Sequence, residues 1–355
     1  MGDEFVEKLI KEHRKLYGDF EVIDYVDEAV VKKLRDELDV KFPTTLHWTW
    51  NYASEVAELR ALYEKGKVHQ WNAETDLDWS IAVSKDDWLV NPELSMLAQI
   101  TKAMGKDEAT QKAALFDEFN YHISQLLHGE QAALYICGQL TNLCETMDEK
   151  WYAASQVVDE ARHVEAFSKF MLRKMGTIYP IGGTLKILMD KLLAAPTAAM
   201  KTLGMQTLFE GMAVGIMSLM RQGCQNPLLI EILERVGQDE ARHAAFGVLM
   251  MRRILKRADS EQRDEMEDWS FSILEALNAS QRLEMLHILG PKYDIDAEET
   301  TKLFVASPQF AQHNSRIYMH TVIPNLRSLG LITERTEDHW RKVGLMYDRS
   351  AGTAA

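Results

Sequence analysis

The pentapeptide DEARH occurs twice in this chain, at 159–163 and 239–243, and no other feature restricts the fold as much. Each copy holds a Glu-x-x-His pair, Glu160 with His163 and Glu240 with His243. Residues three apart share one face of a helix, so each pair can aim a carboxylate and an imidazole at one metal ion. A glutamate stands 30 residues upstream of each pair on an apolar helical stripe. Glu130 precedes Glu160 and lies among Leu126, Leu127, Ala133 and Leu134. Glu210 precedes Glu240 and lies among Thr207, Ala213, Val214 and Met217. A buried carboxylate without a partner is costly, and metal coordination removes that cost. A step of 30 also suits two antiparallel helices joined by a short turn, which sets the paired positions level. Glu130, Glu160, His163, Glu210, Glu240 and His243 are therefore the candidate metal ligands and, through the metals, the candidate catalytic residues.

The surrounding residues extend this reading. Metal-bound histidines donate their other ring hydrogen to a carboxylate or carbonyl. Asp159 and Asp239 are placed to serve the histidine of the opposite copy, with Arg162 and Arg242 holding them by ion pairs. One turn from the ligands stand Leu126, Cys137, Phe167, Gln206 and Val214, the candidate substrate lining. Their mostly apolar character points to an apolar or aromatic substrate portion. Gly129, Gly211, Gly237 and Gly247 lie near ligands, either to admit a neighbouring helix or by chance. His128, two residues from Glu130, faces away from the ligands and is structural. A mixed oxygen and imidazole donor set favours iron or manganese over metals that prefer soft ligands.

Along the chain, helical patterning dominates. Helices are expected over 108–145, 149–175, 184–195, 197–222, 227–257, 260–289, 297–319 and 334–346. Short helical stretches are expected before Pro43. The segment 47–96 carries Trp48, Trp50, Trp71, Trp79 and Trp88, expected to cap one end of a core. This gives an all-α chain in three parts: helices and an aromatic-rich segment over 1–107, a four-helix metal-binding bundle over 108–257, and further helices of the same domain over 258–355. Net charge is −14, which argues against non-specific nucleic-acid binding. Three cysteines, Cys137, Cys144 and Cys224, form no disulfide framework and fit a reducing compartment. The start lacks a signal-peptide pattern, and no apolar run is expected to reach the roughly 20 residues of a membrane-spanning helix. Cytoplasmic location and a homodimer are the expectations.

The six ligand positions resemble the ferritin-like di-iron carboxylate superfamily, in which two helices each give a glutamate and two give Glu-x-x-His. Within it, DE-x-RH in both halves looks most like the hydroxylase subunits of bacterial multicomponent monooxygenases. The ribonucleotide reductase small subunit and its ligand-binding oxidase relatives come next. The resemblance covers about 120–250. It implies a ferritin-like bundle holding two iron ions, with manganese an option at one position. It assigns Glu130, Glu160 and His163 to one metal and Glu210, Glu240 and His243 to the other, with Glu160 and Glu240 bridging. The implied activity is dioxygen-dependent oxidation of a small organic substrate, by hydroxylation, desaturation or N-oxygenation, with electrons from a reductase or ferredoxin. Two alternatives stay open: a radical-generating or Mn/Fe subunit, and a non-catalytic iron-binding protein. Phe167 stands where a radical-storing subunit carries tyrosine. Val214 and Val236 depart from the threonine of the monooxygenases and the extra histidine of arylamine N-oxygenases.

Overall fold

The protein is described by a computed structural model covering residues 46–297, 299–300 and 315–346. The helical stretches expected before Pro43, and most of the helix expected over 297–319, lie outside the described residues. Within them the chain is all-α, and its one β-bridge joins Val90 to Cys224. The helices used below are α1 Ala57–Val68, α2 Met96–Ala103, α3 Glu108–Leu143, α4 Met147–Phe170, α5 Gly183–Ala194, α6 Ala198–Gly223, α7 Pro227–Leu255, α8 Ser260–Leu289, α9 Val322–Leu329 and α10 Glu337–Lys342. Helices α3, α4, α6 and α7 form the four-helix bundle that carries both DEARH copies and both upstream glutamates.

Local chemistry starts and stops these helices. Asp107 accepts from the Thr110 amide and opens α3. Only Cys144, Glu145 and Thr146 separate α3 from α4, and Thr146 closes a capping box with Glu149. The second hairpin repeats the device: after Cys224 and Gln225, Asn226 caps α7 and Pro227 occupies its first turn. Two short turns thus set each glutamate level with its Glu-x-x-His pair.

Three details depart from the sequence expectations. First, α4 runs on into a π turn, Met171–Met175, and α6 contains a longer π segment, Thr202–Phe209, ending one residue before Glu210. Side-chain periodicity does not reveal a change of hydrogen-bond register. Second, α6 is by length and composition apolar enough to cross a membrane, contrary to the expectation of no such run. Two-thirds of its most apolar window (67%) is buried inside the protein, the setting of a core helix. Third, the helix expected over 334–346 contracts to Glu337–Lys342. The Glu267 carboxylate holds the preceding turn by accepting from the Thr333 amide and from the Thr333 and Thr336 hydroxyls.

The aromatic segment is also divided. Trp71 is buried and Trp79 and Trp88 are half-buried, whereas Trp48 and Trp50 are 65% and 79% exposed. Of the four glycines near the ligands, Gly247 answers a steric need, because a Cβ there would lie 2.5 Å from the Gln206 carbonyl oxygen. Backbone of α7 therefore packs directly on the π segment of α6. Gly211 faces Val322 closely, while Gly129 has open space around it and Gly237 only ordinary contact.

Candidate metal centre

Helical register brings all six sequence-predicted ligands into one buried cluster. Two groups of ligand atoms form there, one from Glu130, Glu160, His163 and Glu240, the other from Glu160, Glu210, Glu240 and His243. Glu160 and Glu240 belong to both. Glu160 Oε2 is 3.3 Å from His163 Nδ1, and its Oε1 is 3.1 Å from His243 Nδ1. Glu240 Oε1 and Oε2 lie 3.0 Å from the same two nitrogens, one each. Glu130 Oε2 is 3.2 Å from His163 Nδ1. Donor atoms about 2.1 Å from a common ion sit roughly 3 Å apart, so these spacings fit two ions sharing two carboxylates. Glu160 Oε2 and Glu240 Oε1 have no hydrogen-bond partner although both are buried, which cation coordination would satisfy. Four glutamates with two imidazoles make an oxygen-rich set suited to iron or manganese.

The electrostatics describe buried carboxylates crowded against one another and against two imidazoles. Burial, reinforced by Glu240, pushes Glu130 up to about 8. Burial, with Glu240 and Glu160 beside it, pushes Glu210 well above the carboxylate range. Burial works against ionisation of Glu160 and Glu240 too, but the neighbouring imidazoles outweigh it and hold both low. Both histidines go the other way. Burial would lower them, yet the carboxylates around them raise them. Metal-free, the cluster keeps itself tolerable by retaining protons. A metal ion must displace those protons, so binding releases them and tightens as pH rises toward 8. We expect the apparent affinity for manganous or cobaltous ion to fall about tenfold per pH unit per proton released between pH 8 and 6. Calorimetric titration in buffers of different ionisation enthalpy counts the protons, and an affinity flat across that range would contradict this electrostatic picture.

The predicted cross-pairing of aspartates is present. His163 Nε2 lies 3.1 Å from Asp239 Oδ2, and His243 Nε2 lies 3.2 Å from Asp159 Oδ2. These contacts leave Nδ1 of each ring free to face the cluster. Arg162 donates to Asp159 at 2.6 Å and to Asp239 at 3.0 Å. Arg242 donates to Asp159 at 3.3 Å and closely to Asp239. Each aspartate is thereby bound to both arginines. His128 instead meets the Tyr179 carbonyl at 2.8 Å, away from the cluster.

Three participants escaped the sequence reading. Gln156, fully buried one turn before Glu160, donates from Nε2 to Glu160 Oε1 and Glu210 Oε1, both at 2.9 Å. Trp71 donates from Nε1 to Asp239 at 2.9 Å and stacks 6.4 Å from the His163 ring. Gln70 donates to Asp159 at 3.1 Å and accepts from Arg162 at 2.6 Å. One signal was available for Gln156. The two halves are related by 80 residues, and the counterpart of Gln156 is Val236, so the repeat breaks there. Nothing local marks Trp71, whose partner is 168 residues away.

The five proposed lining residues separate into two groups. Because α3 and α4 are antiparallel, Cys137 and Phe167 lie on opposite sides of the cluster along the bundle. Phe167 is fully buried in an apolar cluster with Ile123, Leu127, Met217 and Val236, and half-buried Leu126 packs against it. Val214 is half-buried on α6. Cys137 and Gln206 are fully buried on the other side, where Gln206 Nε2 approaches the Cys137 sulfur at 3.2 Å.

No family model and no curated protein matches the sequence. Among solved structures, the chain is similar to an R2-like ligand-binding oxidase with aerobically reconstituted Mn/Fe cofactor after a long soak. That match has 16% identity and a TM-score of 0.42, and covers 80% of this chain and 98% of the other. A second R2-like ligand-binding oxidase structure, with aerobically reconstituted metal cofactor after photoconversion, has 17% identity and a TM-score of 0.41, with 78% and 93% covered. A variant of such an oxidase, with anaerobically reconstituted Mn/Fe cofactor, has 16% identity and a TM-score of 0.45, with 80% and 99% covered.

Proposed function

We propose that the chain is a dioxygen-dependent oxidoreductase that uses two iron ions, or one iron and one manganese, to oxidise a small organic molecule. One observation supports the reading: six candidate ligand residues, two of them common to both possible ligand groups, stand in a buried site. Glu130, Glu160, His163 and Glu240 would hold one ion, and Glu160, Glu210, Glu240 and His243 the other. When bound, the pair supplies reducing electrons to dioxygen and oxidising power to the substrate. Reducing dioxygen fully takes four electrons, and oxidising one C–H or N–H bond gives two. An external donor therefore supplies the other two. The protein's own part is to fix both imidazoles through Asp159 and Asp239, to hold Glu210 through Gln156, and to exclude water with the apolar side around Phe167.

A radical-storing subunit needs a tyrosine beside the metals whose proton can leave with the electron. Phe167 has no such proton. Tyr135 is 52% exposed and hydrogen-bonds Gln131. Tyr152 is buried, but burial pushes its pKa up and its hydroxyl has no hydrogen-bond partner to take a proton. The test is to load the protein anaerobically with ferrous iron, then admit air in an oxygen electrode with a chemical reductant present. Oxygen uptake in proportion to bound iron is expected. A long-lived tyrosyl signal by electron paramagnetic resonance, in high yield, would favour the radical-subunit alternative, and iron oxidation without reductant-dependent uptake would favour storage.

A further inference from the structure

On the side of the cluster opposite Phe167, the bundle interior mixes polar groups with apolar ones, among them Phe246, on which the Tyr152 ring stacks at 4.4 Å. Tyr152, Gln156, Cys137 and Gln206 lie there, each at 0% or 1% exposure. Gln156 and Tyr152 stand one and two turns before Glu160 on α4, Gln206 one turn before Glu210 on α6, and Cys137 two turns after Glu130 on α3. The close approach of Gly247 on α7 to the Gln206 backbone fixes the fourth wall at the same level. Three of these side chains carry a polar atom without a partner: Tyr152 OH, Gln156 Oε1 and Gln206 Oε1.

The orientation of Gln156 is set by its neighbours. With metals bound, Glu160 and Glu210 would be ionised carboxylates that accept and do not donate, which matches the observed orientation: the Gln156 amide nitrogen faces both, and its carbonyl oxygen turns away from them. Gln206 spends its amide nitrogen on the Cys137 sulfur and leaves its own carbonyl oxygen unmatched. Buried acceptors without donors are destabilising, and a bound donor would relieve that cost. The Gln156 amide is needed to hold Glu160 and Glu210, but leucine or methionine would fill the Gln206 position at lower cost. Retaining the Gln206 amide is explained if a bound molecule brings the missing hydrogen.

We propose that this side is where the substrate binds, and that it selects molecules bearing an N–H or O–H donor: amines, amides or alcohols with a small apolar body. Gln156 Oε1 and Gln206 Oε1 accept from that group, and Tyr152 OH completes the set. The donor end is thereby anchored one turn from Glu210 and His243, beside the second metal position. This deepens the oxidase reading of the same site and rests on it. It adds a polar anchor to the apolar or aromatic substrate portion expected from the sequence.

Binding tests it without turnover. Protein loaded with two cobaltous ions per chain, a stoichiometry measured first, is titrated with phenol, aniline, toluene and fluorobenzene. Cobalt d–d absorption reports each ligand. Phenol and aniline are expected to bind at least about tenfold more tightly than toluene and fluorobenzene, the worth of one satisfied buried hydrogen bond. The preference is expected to weaken in Gln206→Leu and in the straight-chain Gln206→Met, either of which serves if the other folds poorly, with two metals retained. Equal binding of toluene and phenol, no binding by any of the four, or a preference undiminished in both variants overturns the proposal. Failure to load two metals would instead sink the dimetal reading itself, and oxygen uptake with no donor preference would sink this inference alone.

Discussion

Glu240→Ala will abolish loading at both metal positions, not one. Its two oxygens lie 3.0 Å from the two inward-facing imidazole nitrogens, one each, so both ions lose a ligand together. Both also lose the negative charge that offsets their mutual repulsion. Glu210→Ala makes the contrast, because Glu210 belongs to one ligand group only. Metal analysis after loading and desalting is expected to give about two ions per chain for the unaltered protein, about one for Glu210→Ala and fewer than one for Glu240→Ala. Stability should follow. A ligand at a hundredfold over its dissociation constant adds about 2.7 kcal/mol to a folded protein. The unaltered protein gains that increment on loading, and Glu240→Ala should gain almost none. Without metal the variant should be less stable than its parent, since Glu240 is the ionised partner 3.0 Å from both imidazoles and its loss leaves them short of countercharge. Two ions retained by Glu240→Ala would show that the shared carboxylate is not shared.

The contrast between what the sequence revealed and what it hid is physical. The six clustered residues were legible because two independent periodicities coincide: the i, i+3 pairing inside each DEARH, and the 30-residue step that levels a helical hairpin. The aspartate–histidine cross-pairing was legible for the same reason. In antiparallel helices α4 and α7, residue 159 falls level with 243 and residue 163 with 239, so equal motifs exchange partners. Gln156 stayed hidden because an isolated glutamine on a helix has no distinctive spacing. Its meaning comes from Glu210, 54 residues away. Trp71 stayed hidden because it reaches the centre from a loop after α1, where no period applies. The π segment Thr202–Phe209 is invisible in composition, since it alters which carbonyl each amide meets and not which residues are apolar. The division of the proposed lining could have been foreseen. Antiparallel neighbours send i+4 and i+7 positions in opposite directions, so Cys137 and Phe167 could not share one wall.

Asp239→Ala is expected to be the most damaging change among residues outside the two ligand groups. The carboxylate is 1% exposed and accepts from four groups: Trp71 Nε1 at 2.9 Å, Arg162 at 3.0 Å, His163 Nε2 at 3.1 Å, and Arg242. Burial opposes its ionisation, yet these donors, His163 first among them, hold its pKa well below the usual carboxylate range. Removing it leaves two mostly buried guanidinium groups with only Asp159 between them. Breaking a buried ion pair from one side costs about 3–5 kcal/mol, because the surviving charge is stranded. It also frees the His163 ring to turn or to change tautomer, which costs on the order of 10- to 100-fold in metal affinity. The two effects separate in Asp239→Asn. The amide keeps one acceptor oxygen for Trp71 and His163 but loses the charge that balances the arginines. Chemical denaturation of the metal-free protein should therefore show Asn close to Ala, while metal titration should place Asn between Ala and the unaltered protein. The mirror change, Asp159→Ala, should weaken the metal held by His243, and it loses a Gln70 contact where Asp239 loses Trp71. Should Asp239→Ala leave both stability and metal affinity unchanged, the aspartate–arginine girdle would be incidental to the centre, and His163 would owe its orientation to packing against Trp71 alone.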